Sequence, residues 1–312
     1  MKKTFAVICL LLFFVLPIET RATSYDEANW YITVDVNQVR NTLLPVLPPN
    51  KYEAVEFKIS EHLPQGLEQI SFYGHSDKDS DLSLVASGEF SSFELNEYIN
   101  SLLYLVEDED EVDVVLFDSS THNSRLIEEY RVAGRDESKS FFSSKVNDAL
   151  LVISLDENEV KHWIDNKYDA NEFKNSGLVS VLVNIESAMA HMGADLKSNN
   201  RSFNSAVFQK INQFSASIID AGDKLNIEAA LSAADEATAK QLEQVINGLV
   251  AMNALSTNKH RSQLVTALLE ALEISNQGND LLIRTEFALS LITQMKMAAQ
   301  KDGFEVKQIN IN

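Results

Sequence analysis

A chain of 312 residues with 46 acidic and 26 basic side chains carries a formal net charge of −20. So acidic a surface repels phosphate backbones and anionic lipid, which argues against nucleic-acid binding and polybasic membrane attachment. One cysteine excludes an internal disulfide framework, and ten glycines with five prolines leave little material for elaborate active-site loops.

The chain opens as a secretory leader. Lys2 and Lys3 form a charged start, Phe5 to Ile18 an apolar run, and Thr20-Arg21-Ala22 a small-residue cleavage region. The run is too short for a transmembrane helix, which needs about 20 apolar residues. Residues 1–22 are therefore expected to be removed. Cys9 leaves with them, so the mature chain is cysteine-free and its stability rests on its core. Removing Lys2, Lys3, Arg21 and Glu19 takes away two net positive charges and leaves about −22. The address expected is periplasmic or secreted, in a bacterial envelope. Asn200-Arg201-Ser202 is a lone glycosylation triplet of the kind that arises by chance.

In chain order, Tyr31 to Val36 reads as a strand, with Asn37 as cap of the next helix. Asn50 and Glu53 form a capping box before Tyr52, Val55, Ile59 and Leu63. Strands are expected at 67–75 and 81–90. Ser91 and Glu94 then cap a helix with Leu95, Tyr98, Ile99, Leu102 and Leu103 inward. Val112 to Phe117, a turn over Asp118 to Ser124, and Leu126 to Val132 read as a hairpin. A strand at 149–155 leads to Asp156, a cap with Glu159 at the third helical position, and to Val160, Trp163 and Ile164 facing the core. Asp165 to Ser176 is polar and reads as a linker.

The second half begins with a strand from Leu178 to Asn184. Phe203, Val207, Phe208 and Ile211 suggest a helix, followed by strands at 213–220 and 224–232. A helix from Asp235 buries Leu242, Val245, Ile246, Leu249 and Val250. Ser256-Thr257-Asn258 caps a further helix through Leu264, Leu268, Leu269 and Leu272. Gln277 to Asp280 is a turn into a strand at 280–287, and Leu289, Ile292, Met295 and Met297 follow.

These elements repeat. Tyr31–Asn37 resembles Leu178–Asn184, Leu67–Ser71 resembles Ile211–Ser215, and Asp81–Leu84 resembles Asp223–Ile227. Tyr98–Leu103 resembles Val245–Val250, and Asn147–Ile153 resembles Asn279–Ile283. Matches in one order over so long a period imply two fused units rather than a solenoid. The expected fold is α+β, two similar lobes from an internal duplication, with mostly antiparallel sheets and packed helices. The lobes span 24–170 and 176–305, with a tail at 306–312.

Asp77-Lys78-Asp79-Ser80-Asp81 begins like a calcium loop. Leu82 replaces the sharp-turn glycine and Gly88 the bidentate glutamate, so an acidic turn is expected and no metal site. Glu107 to Glu111 is a solvated run of carboxylates. His62, His75, His122, His162, His191 and His260 show no metal-ligand spacing. No nucleophile elbow, P-loop or dinucleotide fingerprint occurs, so no catalytic residue and no cofactor can be named. Met189, Met192, Met252, Met295 and Met297 suit core packing, or an adaptable groove between the lobes.

The sequence thus favours a non-enzymatic binding or envelope-assembly protein with an unidentified protein or small-molecule partner, no nucleic acid, and no stable membrane span after cleavage. The alternative is an envelope hydrolase using carboxylates or a Ser/His pair. Intact-mass measurement of exported protein is expected to show a chain starting near Thr23. A mature species that retains Cys9 would contradict the leader assignment.

Overall fold

The computed structural model describes residues 28–42, 64, 66–74, 82–104, 113–133, 138–168, 177–185, 210–255 and 268–291. Twelve strands among them form one antiparallel sheet. The first half supplies β1 (Trp30–Asp35), β2 (Leu67–Gly74), β3 (Ser83–Gly88), β4 (Asp113–His122), β5 (Arg125–Ala133), β6 (Ser138–Asn147) and β7 (Leu150–Ser154). The second supplies β8 (Val179–Asn184), β9 (Ile211–Asp220), β10 (Lys224–Ala233), β11 (Glu273–Gln277) and β12 (Asp280–Ala288). The order across the sheet is β11-β12-β10-β9-β8-β1-β2-β3-β7-β6-β5-β4. The halves meet where β1 pairs with β8, Ile32 opposite Val181. Among the described residues that join is a strand pairing.

Four helices among the described residues pack on this sheet: α1 (Val36–Thr42), α2 (Leu95–Tyr104), α3 (Glu157–Ile164) and α4 (Glu236–Leu255). Period-two alternation decides which helix each strand residue meets. On β7, Leu150 and Val152 face Val160 and Trp163 of α3, whereas Leu151 faces the Val36 and Phe90 cluster beneath α1. On β5, Ile127 faces α3, while Tyr130 and Val132 face Leu95 and Ile99 of α2. So α3 lies on one face of the first half and α2 on the other. In the second half Ala239 and Leu242 of α4 close over Ile211, Ala233 and Leu281. Val39 of α1 reaches into the second half against Leu178 and Leu225. Thr42 donates to Asp220 at the end of β9, which ties the same helix across the join. No helix among the described residues is long and apolar enough to cross a membrane.

Several boundaries differ from the sequence reading. The cap of α1 is Asp35, whose Oδ1 accepts from the Gln38 amide at 2.7 Å, not Asn37. Helix α2 starts at Leu95, because Phe90 and Phe93 first form a turn with their rings edge-to-face, centroids 5.7 Å apart. Ile211 begins β9 and is buried under α4 rather than ending a helix. Strand β4 continues through the polar residues Asp118 to His122, and the turn is only Asn123-Ser124. As the edge strand, β4 has no second neighbour among the described residues to bury those side chains. A bulge at Phe117 and the Arg131 guanidinium over its ring interrupt the apolar run Val115-Leu116-Phe117. Bulges and cations at an edge hinder pairing with other chains. Strand β6 has no counterpart in the sequence reading. Its Ser143 and Ser144 are buried, which breaks the apolar alternation.

Gly66 and Gly88 lie where β2 and β3 approach most closely. A methyl on Gly88 would sit 2.1 Å from the Gly66 carbonyl oxygen, which is rigid backbone. Gly88→Ala is expected to lower unfolding free energy in urea by about 1–3 kcal/mol or more. An unchanged transition midpoint would contradict this packing.

Candidate functional site

The candidate site is an open polar cleft of about 600 Å³ on the first half, lined by Asn123, Arg125, Val146, Asn147, Ile164, Asp165 and Asn166. Three chain reversals build it. The first is the C-terminus of α3. Asp156 caps the start of that helix, accepting from the Asn158 amide at 3.0 Å, as the sequence indicates. At the other end the Asn166 amide bonds Trp163 O at 3.1 Å and the Lys167 amide bonds His162 O at 3.1 Å. Asn166 takes φ 55°. This is the paired bond pattern of a Schellman ending, with asparagine in the left-handed position that glycine usually fills. Asp165 and Asn166 are thereby fixed residues of a helix cap and not the start of a linker.

The second reversal is the two-residue turn between β4 and β5. Asn123 and Ser124 have φ 45° and 65°. Positive φ at both positions suits a hairpin whose twist matches its strands. The third is the β6–β7 turn, where Asn147 Oδ1 accepts from the Ala149 amide at 2.8 Å.

The first two reversals are bolted together through one oxygen. Asp165 Oδ1 lies 2.8 Å from His122 Nε2 and 2.6 Å from Asn123 Nδ2. The hydrogen bond from His122 is the main reason the Asp165 carboxyl sits below its ordinary range; partial burial opposes it, and Asn123 and the Lys167 charge assist. The carboxyl is therefore ionised at neutral pH, and His122 Nε2–H is the donor. Asp165 Oδ2 and the Arg125 guanidinium have no hydrogen-bond partner among the described residues. Such a surface can hold a polar ligand. His122 with Asp165 also resembles two members of a catalytic triad. Among the described residues no serine hydroxyl bonds His122, and Ser120 is instead 3.2 Å from Glu157 Oε1.

Behind the cleft lies a buried network. Glu159, whose residue is 2% exposed, accepts from Tyr73 through Oε1 and from Tyr168 at 3.1 Å through Oε2. Trp163 Nε1 donates to Tyr73 Oη at 2.9 Å. His162 Nδ1 is 3.0 Å from Tyr168 Oη and 3.7 Å from Glu159 Oε2. Burial first, and then the neighbouring Glu159 charge, push the Tyr73 phenol well above its usual value. The sequence reading missed Glu159 as a core residue. The signal was its i,i+4 spacing from Trp163, which puts a carboxylate on the apolar face.

Of the other candidates, His122 bonds the cleft residue Asp165 and His162 joins the network. His62, His75, His191, His260, Asp77 to Asp81, Glu107 to Glu111, Met189, Met192, Met295 and Met297 lie outside the described residues, and Met252 falls on α4. Among the described residues no group of three or more histidine or acidic side chains is placed to hold a metal.

No family model matches the chain, and no curated protein matches it. Solved structures of TP0453 are similar to it. Crystal form IV has a TM-score of 0.42 at 9% identity, covering 86% of this chain and 92% of that one. Form III has 0.40 at 11% identity, covering 88% and 96%. Form I has 0.37 at 11% identity, covering 87% and 93%.

The Asp165 bolt carries a pH signature. A depressed carboxyl contributes stability above the unfolded value, about 3.9, and loses it as pH falls through the folded one. The wild type is expected to lose melting temperature more steeply than Asp165→Asn as pH falls below about 4. Superimposable acid profiles would contradict the bolt.

Proposed function

We propose that the mature chain is an exported, acidic, non-enzymatic binding protein of a bacterial envelope, and that the polar cleft is its ligand site. The observation that carries this reading is Asp165. Two donors pin it on one oxygen, and among the described residues its other oxygen has no donor and Arg125, which lines the same cleft, has no partner. Preorganised polar groups in a concave site are what ligand recognition requires. The leader at 1–22 supports export.

The reading includes an internal duplication, with lobes at 24–170 and 176–305. Strand order supports it. Outward from the join, one half runs β8, β9, β10, β12, β11 and the other β1, β2, β3, β7, β6. A helix follows β3 and another follows β10. On this scheme the β4–β5 hairpin is an addition peculiar to the first half. It brings His122, Asn123 and Arg125, so the cleft belongs to the element by which the halves differ.

The second reading, a hydrolase, is favoured by the His122–Asp165 pair alone. The pair is part-exposed and its hydrogen bond orients Asp165. One experiment separates the readings. Low-molecular-mass envelope extract is passed over immobilised mature protein. Wild type is expected to retain a compound unchanged, while Arg125→Ala and Asn166→Gly release it; glycine keeps the left-handed cap and removes only the amide. Turnover of an ester, peptide or glycoside that His122→Ala abolishes would favour the hydrolase.

A further inference from the structure

The proposed binding role leaves the ligand's chemistry open, and the cleft narrows it. Its walls are polar except for Val146 and Ile164, so apolar burial contributes little and the ligand must itself be polar. Its volume of about 600 Å³ falls within the range of small-molecule sites and admits one or two sugar rings. Arg125 has no ion pair among the described residues, in a chain whose charge is −20. A guanidinium offers a planar fork of donors that matches a carboxylate bidentately. Asp165 Oδ2 and the amides of Asn147 and Asn166 add acceptors and donors suited to hydroxyl groups. One cation and one fixed anion fit a ligand with a single negative charge and several hydroxyls. A phosphate dianion would be repelled by the Asp165 carboxylate.

We infer that the cleft binds a hydroxylated monocarboxylate of the uronic-acid class, its carboxylate on Arg125 and its hydroxyls on Asp165 and Asn166. This rests on the binding reading above. The same chemistry is offered by a free uronic acid and by a single terminal uronic acid on an otherwise neutral glycan, which differ at the anomeric oxygen.

Calorimetric titration of the mature protein with sodium glucuronate, methyl glucuronide, glucose, acetate and glucose 1-phosphate tests it. Glucuronate or its methyl glycoside is expected to bind at least about tenfold more tightly than glucose, acetate or the phosphate ester. Equal affinity for the two uronates would mark a glycan terminus as accepted, and loss with the methyl glycoside would mark the free acid as the ligand; both support the class. Arg125→Ala is expected to weaken glucuronate by about tenfold, and Asn166→Gly by several-fold with an unchanged melting temperature. No uronate binding, equal binding of acetate, tighter binding of the phosphate ester, or indifference to Arg125→Ala would overturn the inference. If those results came with extract retention that still needs Arg125, the ligand class alone would fall. If retention also ignored both substitutions, the binding role would fall with it.

Discussion

A carboxylate deep in the first half sets the terms for everything around it. Glu159 sits where α3 presses on the sheet, and an ionised acid there survives only with its oxygens occupied. Tyr73 from β2 and Tyr168 from beyond the helix supply those bonds, and Trp163 donates in turn to Tyr73. An apolar face alone would let α3 slide or rotate by a fraction of a turn. Directional bonds from two oxygens fix its register on β2. The Ser83–Ser154 hydroxyl pair at 2.8 Å extends the polar seam onto β3 and β7.

The cleft inherits that register. Asp165 and Asn166 follow directly on the last turn of α3, so the height at which Glu159 holds the helix is the height at which Asp165 meets the β4–β5 hairpin. His122 and Asn123 reach Asp165 only if both elements are in place. The site is therefore formed by a helix cap and a hairpin turn, both on rigid elements, with the buried network as their support. A buried carboxylate, Glu159, and one at the cleft, Asp165, lie six residues apart on one chain segment.

What the sequence revealed follows physical lines. Strands β1 and β8 were legible because β-branched residues alternate over Ile32 to Val36 and Val179 to Val183. The Asp156 cap was legible from side-chain chemistry alone, and the start of α4 was placed near Asp235, which accepts from the Thr238 amide at 2.7 Å. Strand β6 was hidden because cross-strand hydroxyls, not apolar side chains, fill part of this core, as the Thr33–Ser71 contact at 3.0 Å also shows. The polar end of β4 read as a turn because an edge strand has no need to alternate. Asp165 read as a linker because a helix ending in asparagine lacks the glycine that marks such a stop. The cleft joins residues 43 positions apart, and no local pattern encodes that meeting.

The central claim is that the Tyr73–Glu159 bond holds α3 in place. The direct measurement is the urea unfolding free energy of Tyr73→Phe, which keeps the ring and removes one donor to the buried carboxylate. The account predicts a loss of about 1–3 kcal/mol, reduced when Glu159→Leu removes the partner as well, with the remainder due to the Trp163 Nε1–H left without its Tyr73 acceptor. A loss below about 0.5 kcal/mol, or additive effects of the two substitutions, would contradict it.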